Sequence, residues 1–484
     1  MTARQPMTLR ELVTKWKWLI LPVGGILFAL TVIFPQIGAF EWISLIPALL
    51  VILTLAPDPT VRYRRLYGLG LCFFWPFYAV NFHWFLYMYP LDFAGMSHAA
   101  SAVVVGFACL GLSLGQAETV AILQSAALFG SYFITFLMVA VNGLLAYLIL
   151  HPSRRMVCAA LALGLFFGNM GFGIIRMASM KDEGTTIQAA AIQGNKGSLE
   201  NWGSGSMDAV LKVYGELSKK AAAEGADLIV WPETCIPANI DRHAWVYEYV
   251  TELSRECGVP ILCGLFTRVE EGSEADYNSI VAALPDGTIH DTVYNKRNPV
   301  PFGEFVPFRN LVMTLVPPLA EINTLAEDIP AGEDSVVFDL EIGQVGSLIC
   351  FDSIYEQNAL DSIANGAQVL AVSTNDSWFQ DSRGVWMHHA QSQLRAIETG
   401  RFVVRSANTG VSSIINDRGE VLETLAPLKT GYVLEEVTLS ERVTVYSVIG
   451  NVFAYACIIL CAAAILYPAC DRILSSIITK CKTK

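Results

Sequence analysis

Long apolar runs, gathered at the two ends of the chain, constrain this sequence more than any other feature. A hydrocarbon core about 30 Å thick is crossed by roughly 20 apolar residues in a helix. Runs of about that size occur at 17–36, 41–56, 66–89, 98–115, 121–150 and 156–178, and one more lies at 445–467 before a basic tail. The first run is too long, and lacks the small-residue cleavage site, for a removable signal peptide. Residues 1–180 therefore read as a polytopic helical membrane domain of the 484-residue chain, and 441–484 as a closing transmembrane helix with a basic tail.

Charge divides along the same lines. Residues 181–440 carry 17 Lys and Arg against 37 Asp and Glu, whereas the remainder carries 15 against 7. An acidic soluble domain without a basic stripe excludes nucleic acid as a partner. Basic residues cluster in "RELVTKWK", in "VRYRR", in "HPSRR" and in the C-terminal tail. Basic loops stay in the cytoplasm, so the run at 156–178 delivers residues 181–440 to the extracytoplasmic face of the membrane. Leaving the outer side near residue 92 and reaching "HPSRR" inside needs an odd number of crossings, which makes 98–115 a candidate re-entrant or interfacial segment and sets the helix count at six to eight. The eleven cysteines form no CxxC pair and no Cys/His metal spacing, so neither a disulfide framework nor a metal or other cofactor is expected.

From 187 to 440 short β-branched runs alternate with helical patterns. "IQAAAIQGN", "ADLIVWPET", "VPILCGLFT", "VGSLICFDS", "QVLAVSTND" and "RFVVRSANTG" read as strands that stop at Gly, Asn or Asp. Such alternation points to an α/β sandwich, with chemistry at the carboxyl ends of strands. Glu233 follows "LIVWP", Lys296 lies in "YNKRNPVPFGEFVP" and Cys350 follows "GSLI". Alone, each has a commonplace alternative: a solvated turn glutamate, a surface lysine, a thiol filling a core. Together they supply a thiol nucleophile, a carboxylate to take its proton and a cation for the developing oxyanion. A cysteine at a sharp strand-to-helix bend also aims the following N–H at the reacting carbonyl. His388 and His389 have no carboxylate or cysteine at ligand spacing and read as structural. Asn375 and Asp376 read as the end of a strand near the site, holding it by hydrogen bonds.

These segments carry a resemblance. "VWPET", "YNKRNPVPFGEFVP", "GSLICFDS", "STNDSWF" and "LRAIETGRFVVRSANTGVSS" resemble the successive motifs of the nitrilase, or carbon–nitrogen hydrolase, superfamily. "VPFGEFVP", "IQGN" with Trp202 seven residues on, and the helix–domain–helix layout are similar to its membrane-embedded branch, the apolipoprotein N-acyltransferases. The resemblance implies a nitrilase-like αββα four-layer sandwich at 181–440 joined to the membrane helices. It implies Glu233 as general base, Lys296 as oxyanion-stabilising lysine and Cys350 as acylated nucleophile. Glu304 corresponds to a second supporting glutamate, Phe351 and Asp352 to the aromatic and acidic places after the cysteine, and Trp202 to a tryptophan near the lipid entrance.

The implied reaction is a two-step acyl transfer without cofactor. A phospholipid donates an acyl group to Cys350, and the N-terminal S-diacylglyceryl-cysteine of a lipoprotein accepts it. The alternative is a membrane-tethered amidase, in which water resolves the thioester. Three places depart from the pattern: Asp352, one methylene shorter, stands where Glu is usual, Pro299 where an apolar residue is common, and Gln380 where Gly is usual. The stretch after residue 90 is also shortened by about one helix. Residues 308–330 read either as a lid that dips into the membrane or as a plain packed loop.

Overall fold

The computed structural model describes residues 7–58, 61, 63–81, 119–181, 184–196, 204–301, 303–310, 314, 328–463 and 467. The 98–115 segment, Trp202 and most of the 308–330 insertion lie outside them. Among the described residues four helices are long and apolar enough to cross a membrane: Leu9–Ile33, Gln36–Leu55, Ser131–Leu150 and Pro152–Ser179.

Three of the expected boundaries move, each for a local reason. The first helix starts at Leu9 rather than near 17, because Thr8 and Glu11 cap it reciprocally and carry the polar "RELVTKWK" into the helix. The run at 121–150 is not one span. Gly130 breaks it at φ +74°, and a Cβ there would lie 2.5 Å from the Tyr446 ring. The short apolar helix before the break, Val120–Phe129, packs with Leu394 and Ile397 of the soluble domain. The run at 445–467 is likewise interrupted at Gly450, φ +55°, giving Val445–Ile449 and then a helix over Val452–Ala463.

Residues 185–439 build two six-stranded sheets. The first runs β12-β1-β2-β3-β4-β5 and the second β11-β10-β9-β8-β7-β6, with β1 Thr185–Gln193, β2 Leu228–Val230, β3 Ile261–Arg268, β4 Asp276–Ala283, β5 Ile289–Asn295, β6 Val337–Leu340, β7 Gly343–Ile349, β8 Val369–Thr374, β9 Phe402–Ala407, β10 Ser412–Ile415, β11 Val421–Leu425 and β12 Gly431–Leu439. The central strands are buried on both faces, as strands covered on both sides must be. In β1, Ile187, Ala189 and Ala191 enter the core between the sheets, while Ala190 and Ile192 turn toward the helices Ser204–Ala223 and Ala244–Cys257. In β8, Val369 and Ala371 face the first sheet, and Leu370 and Val372 face the helices Glu356–Ala364 and Arg383–Thr399. The result is the expected αββα order of layers.

The centre of each sheet is parallel: β1, β2 and β3 in one, β7, β8 and β9 in the other. Polar side chains tie the sheets together near the carboxyl ends of these strands. Ser373 donates to the Trp231 carbonyl at 2.8 Å, and Ser406 to that of Ile192 at 2.6 Å. Segments leaving β2, β7 and β8 thus emerge side by side.

The soluble domain sits on one end of the helix pair Ser131–Leu150 and Arg155–Ser179. Glu398 accepts from the first amide of the former, Ser131 N, at 3.1 Å, and Arg418 reaches the Met180 carbonyl at the end of the latter. The basic turn His151–Arg155 joins the two helices at their opposite end.

Candidate active site

Glu233 follows β2 in a turn pressed tightly against β3. A Cβ on Gly264 would lie 2.1 Å from the Pro232 carbonyl oxygen, so only glycine permits this approach. Lys296 follows β5 and donates its main-chain N–H to the Asn278 carbonyl at 2.8 Å. Its Nζ is 2.7 Å from Glu233 Oε1 and 2.8 Å from Glu304 Oε2, with Lys296 only 1% and Glu233 5% exposed. Burial alone would drive the proton from Lys296, but the charges of Glu233 and Glu304 outweigh it and hold the ammonium well above the usual lysine range. The lysine is therefore a fixed cation. Asn278 Nδ2 donates to both carboxylates, at 2.8 Å to Glu233 and 3.0 Å to Glu304, and the Asn375 amide donates to Glu233 Oε2 at 2.8 Å. Every oxygen of the Glu233 carboxylate is thereby aimed.

Cys350 follows β7 and opens a short 3-10 turn, Cys350–Ile354, with φ +48°. A non-glycine residue held there stores on the order of 1–3 kcal/mol, which surrounding bonds must offset. Asp352 supplies most of them. Its carboxylate accepts from Tyr294 Oη at 2.9 Å, from the Asn298 and Arg297 amides at 2.7 and 3.3 Å, and from the Ile349 amide at 3.3 Å. Burial pushes this carboxyl up to about 6, against the pull of Lys296 and these donors. The shorter acid is thus held by backbone amides of the 297–298 loop. Asp352→Asn should lower the thermal unfolding midpoint, since an NH2 group then faces some of these donors at a cost of about 1–3 kcal/mol. An unchanged midpoint would show that this residue does not hold the bend. The Cys350 thiol is pushed well above its ordinary value by burial and by the charges of Glu233 and Asp376, with Lys296 opposing. A resting thiol so placed needs a base, and Glu233 is the carboxylate whose charge it feels most.

The carbon–nitrogen hydrolase family model matches residues 188–445. The chain belongs to that family. Among curated relatives, the apolipoprotein N-acyltransferase of Geobacter metallireducens is 29% identical over 450 residues, covering 90% of this chain and 82% of that one. The protein of the same name from Gloeobacter violaceus is 26% identical over 468 residues, covering 86% and 87%. Among solved structures, a carbon–nitrogen hydrolase from Helicobacter pylori matches with a TM-score of 0.40 at 18% identity, covering 53% of this chain and 90% of that one.

Within this carbon–nitrogen hydrolase domain the fold brings Lys296 into direct contact with Glu233 and Glu304 and places Cys350 in the field of Glu233 and Lys296. Asn375 meets the site through its main-chain amide. Phe351 packs edge-on against Tyr355, with ring centroids 5.5 Å apart. Asn278 escaped the sequence reading, although a polar residue in the apolar run "YNSIVAAL" marks an inward-facing exception. From the sequence, Asp376 reads as a strand end that holds the site by hydrogen bonds, and His388 as structural because no carboxylate or cysteine stands at ligand spacing. The fold brings ligand-type atoms of Cys350, Asp376 and His388 within 4.8 Å of one another. The Asp376 oxygens are already committed, Oδ1 to His388 and Thr374 and Oδ2 to Arg405 at 3.0 Å. With a guanidinium as counter-ion, this is a charge-compensated hydrogen-bond network and a poor fit for a metal. Asp376 is held down at about 2: burial pushes it up, but His388 and Arg405 outweigh burial.

Proposed function

We propose that this chain transfers an acyl group from a phospholipid to the N-terminal S-diacylglyceryl-cysteine of lipoproteins, working on the extracytoplasmic face of a bacterial inner membrane. The observation that carries this reading is the buried Glu233–Lys296–Glu304 cluster, whose Glu233 and Lys296 charges act on Cys350, in a domain seated on membrane-length helices. Both substrates live in a bilayer, which a soluble amidase would have no need to meet. The basic turn His151–Arg155, at the far end of the helices from the domain, supports the orientation.

In this reading Cys350 Sγ attacks the ester carbonyl as Glu233 takes the thiol proton. Two of the three Nζ protons of Lys296 serve the carboxylates, and the third, with the Phe351 N–H, meets the oxyanion. Collapse breaks the C–O bond, Glu233 returns its proton to the leaving glycerol oxygen, and a lysophospholipid departs from a Cys350 thioester. The α-amine of the acceptor then attacks, Glu233 takes its proton, and the C–S bond breaks as Glu233 passes that proton to the sulfur, restoring the thiol and the carboxylate and releasing an amide.

The test is to incubate the full chain in lipid nanodiscs with acyl-labelled phosphatidylethanolamine, then add a diacylglyceryl lipopeptide. A hydroxylamine-sensitive label on Cys350 that moves to the lipopeptide amine is expected. Label released only as free fatty acid, with lipopeptide present, would replace the transferase with a hydrolase.

A further inference from the structure

The strained peptide that follows the nucleophile is held from its far side. The Cys350 carbonyl oxygen accepts from Ser353 Oγ at 2.7 Å and lies 3.1 Å from His388 Nε2. His388 is itself fixed: Nδ1 is 2.7 Å from Asp376 Oδ1, and Asp376 pairs with the fully buried Arg405. Nε2 is also 3.1 Å from Ser353 Oγ, whose own proton goes to the Cys350 carbonyl; both neighbours can therefore only accept, and Nε2 donates to the pair they form.

The Cys350 carbonyl and the Phe351 N–H belong to one peptide plane, and in a trans peptide they point in opposite directions. Anchoring the carbonyl on the His388 side therefore fixes where the Phe351 N–H points on the other. We infer that His388 is a positioning residue: through the Cys350 carbonyl it aims the Phe351 amide at the oxyanion. Asp376 and Arg405 set the ring, and Ser353 is the second hand on the same oxygen. This rests on the proposed reading of Cys350 as the acylated nucleophile. It assigns to His388 a task distinct from those of Glu233 and Lys296, since it acts on the orientation of a donor and not on the thiol proton.

Alkylation separates the two kinds of effect. Attack of Cys350 on iodoacetamide is a displacement at saturated carbon and forms no oxyanion, whereas attack on an ester does. Losing an oxyanion donor outright costs about 10²–10³ in kcat, and loosening one while Ser353 remains should cost roughly 10–100-fold. In His388→Ala, acylation of Cys350 by labelled phosphatidylethanolamine should slow by that factor with KM unchanged, while its alkylation stays within about twofold of wild type. Ser353→Ala should show the same split, and it stands in if His388→Ala does not fold. Acylation at the wild-type rate in both variants, or an equal loss of acylation and alkylation, would overturn the inference. If the wild-type chain itself is alkylated but never acylated at Cys350, the nucleophile reading fails first and the inference falls with it.

Discussion

Cys350→Ser is expected to abolish acyl transfer while leaving the fold intact. The substitution exchanges sulfur for a smaller oxygen, keeps the hydrogen-bonding pattern of the bend, and asks the same φ of +48° from the new residue. Stability should change by less than about 1 kcal/mol, as for substitutions that create no cavity and orphan no polar group. The chemistry changes far more. A thiol that burial and Glu233 already push up lies within reach of a carboxylate base, but an alkanol proton does not, and serine gains little nucleophilicity from the same neighbours. Loss of about 10⁴-fold or more is expected, in line with the removal of nucleophiles elsewhere. Mass spectrometry of the intact chain after a phospholipid pulse reads the adduct directly. A serine variant that turns over within about a hundredfold of wild type would place the nucleophile on another residue.

The sandwich was legible because strands buried on both faces leave a plain trace. The runs "IQAAAIQ" and "QVLAVST" are apolar at odd and even positions alike, and both sort cleanly between inner core and helix-covered face. Glu233, Lys296 and Cys350 were visible as polar residues just past such runs. What stayed hidden depends on contacts between distant segments. The break at Gly130 is fixed by the ring of Tyr446 arriving from the far end of the chain, so no local pattern betrays it. Asn278 earns its place through two glutamates 45 and 26 residues away. His388 meets the carbonyl of a residue 38 positions earlier. Linear spacing tests only for partners on the same helix face, and here the partners come from neighbouring strands. The partners of Asp352 are likewise distant, with the Asn298 amide arriving from 54 residues earlier.

Lys296→Met should damage catalysis and stability together, and the pH dependence of the second effect identifies its cause. Methionine keeps the length of the stem but leaves Glu233 and Glu304 facing each other across a buried site, joined only by the Asn278 amide. Removing one partner of a buried ion pair costs about 3–5 kcal/mol, because the remaining charge is neither solvated nor neutralised. Two carboxylates so close do not both stay ionised; one binds a proton in the folded state more readily than it does unfolded. Stability then increases as pH falls, since the folded state is the one that takes up the proton. In the wild-type chain the lysine works in the other direction. Its proton is held above the ordinary 10.5, so its contribution is complete throughout pH 5–8 and is lost only as pH rises through the elevated value. The variant should accordingly melt well below wild type at pH 8 and recover much of the difference by pH 5. Phospholipid acylation of Cys350 should fall by at least about 10³-fold at either pH, because no cation remains for the oxyanion. A variant as stable as wild type at pH 8, with no gain on acidification, would mean that the two carboxylates already share a proton when the lysine is present. The pair would then be a hydrogen-bonded acid and not the charged base on which the proposed proton transfers depend.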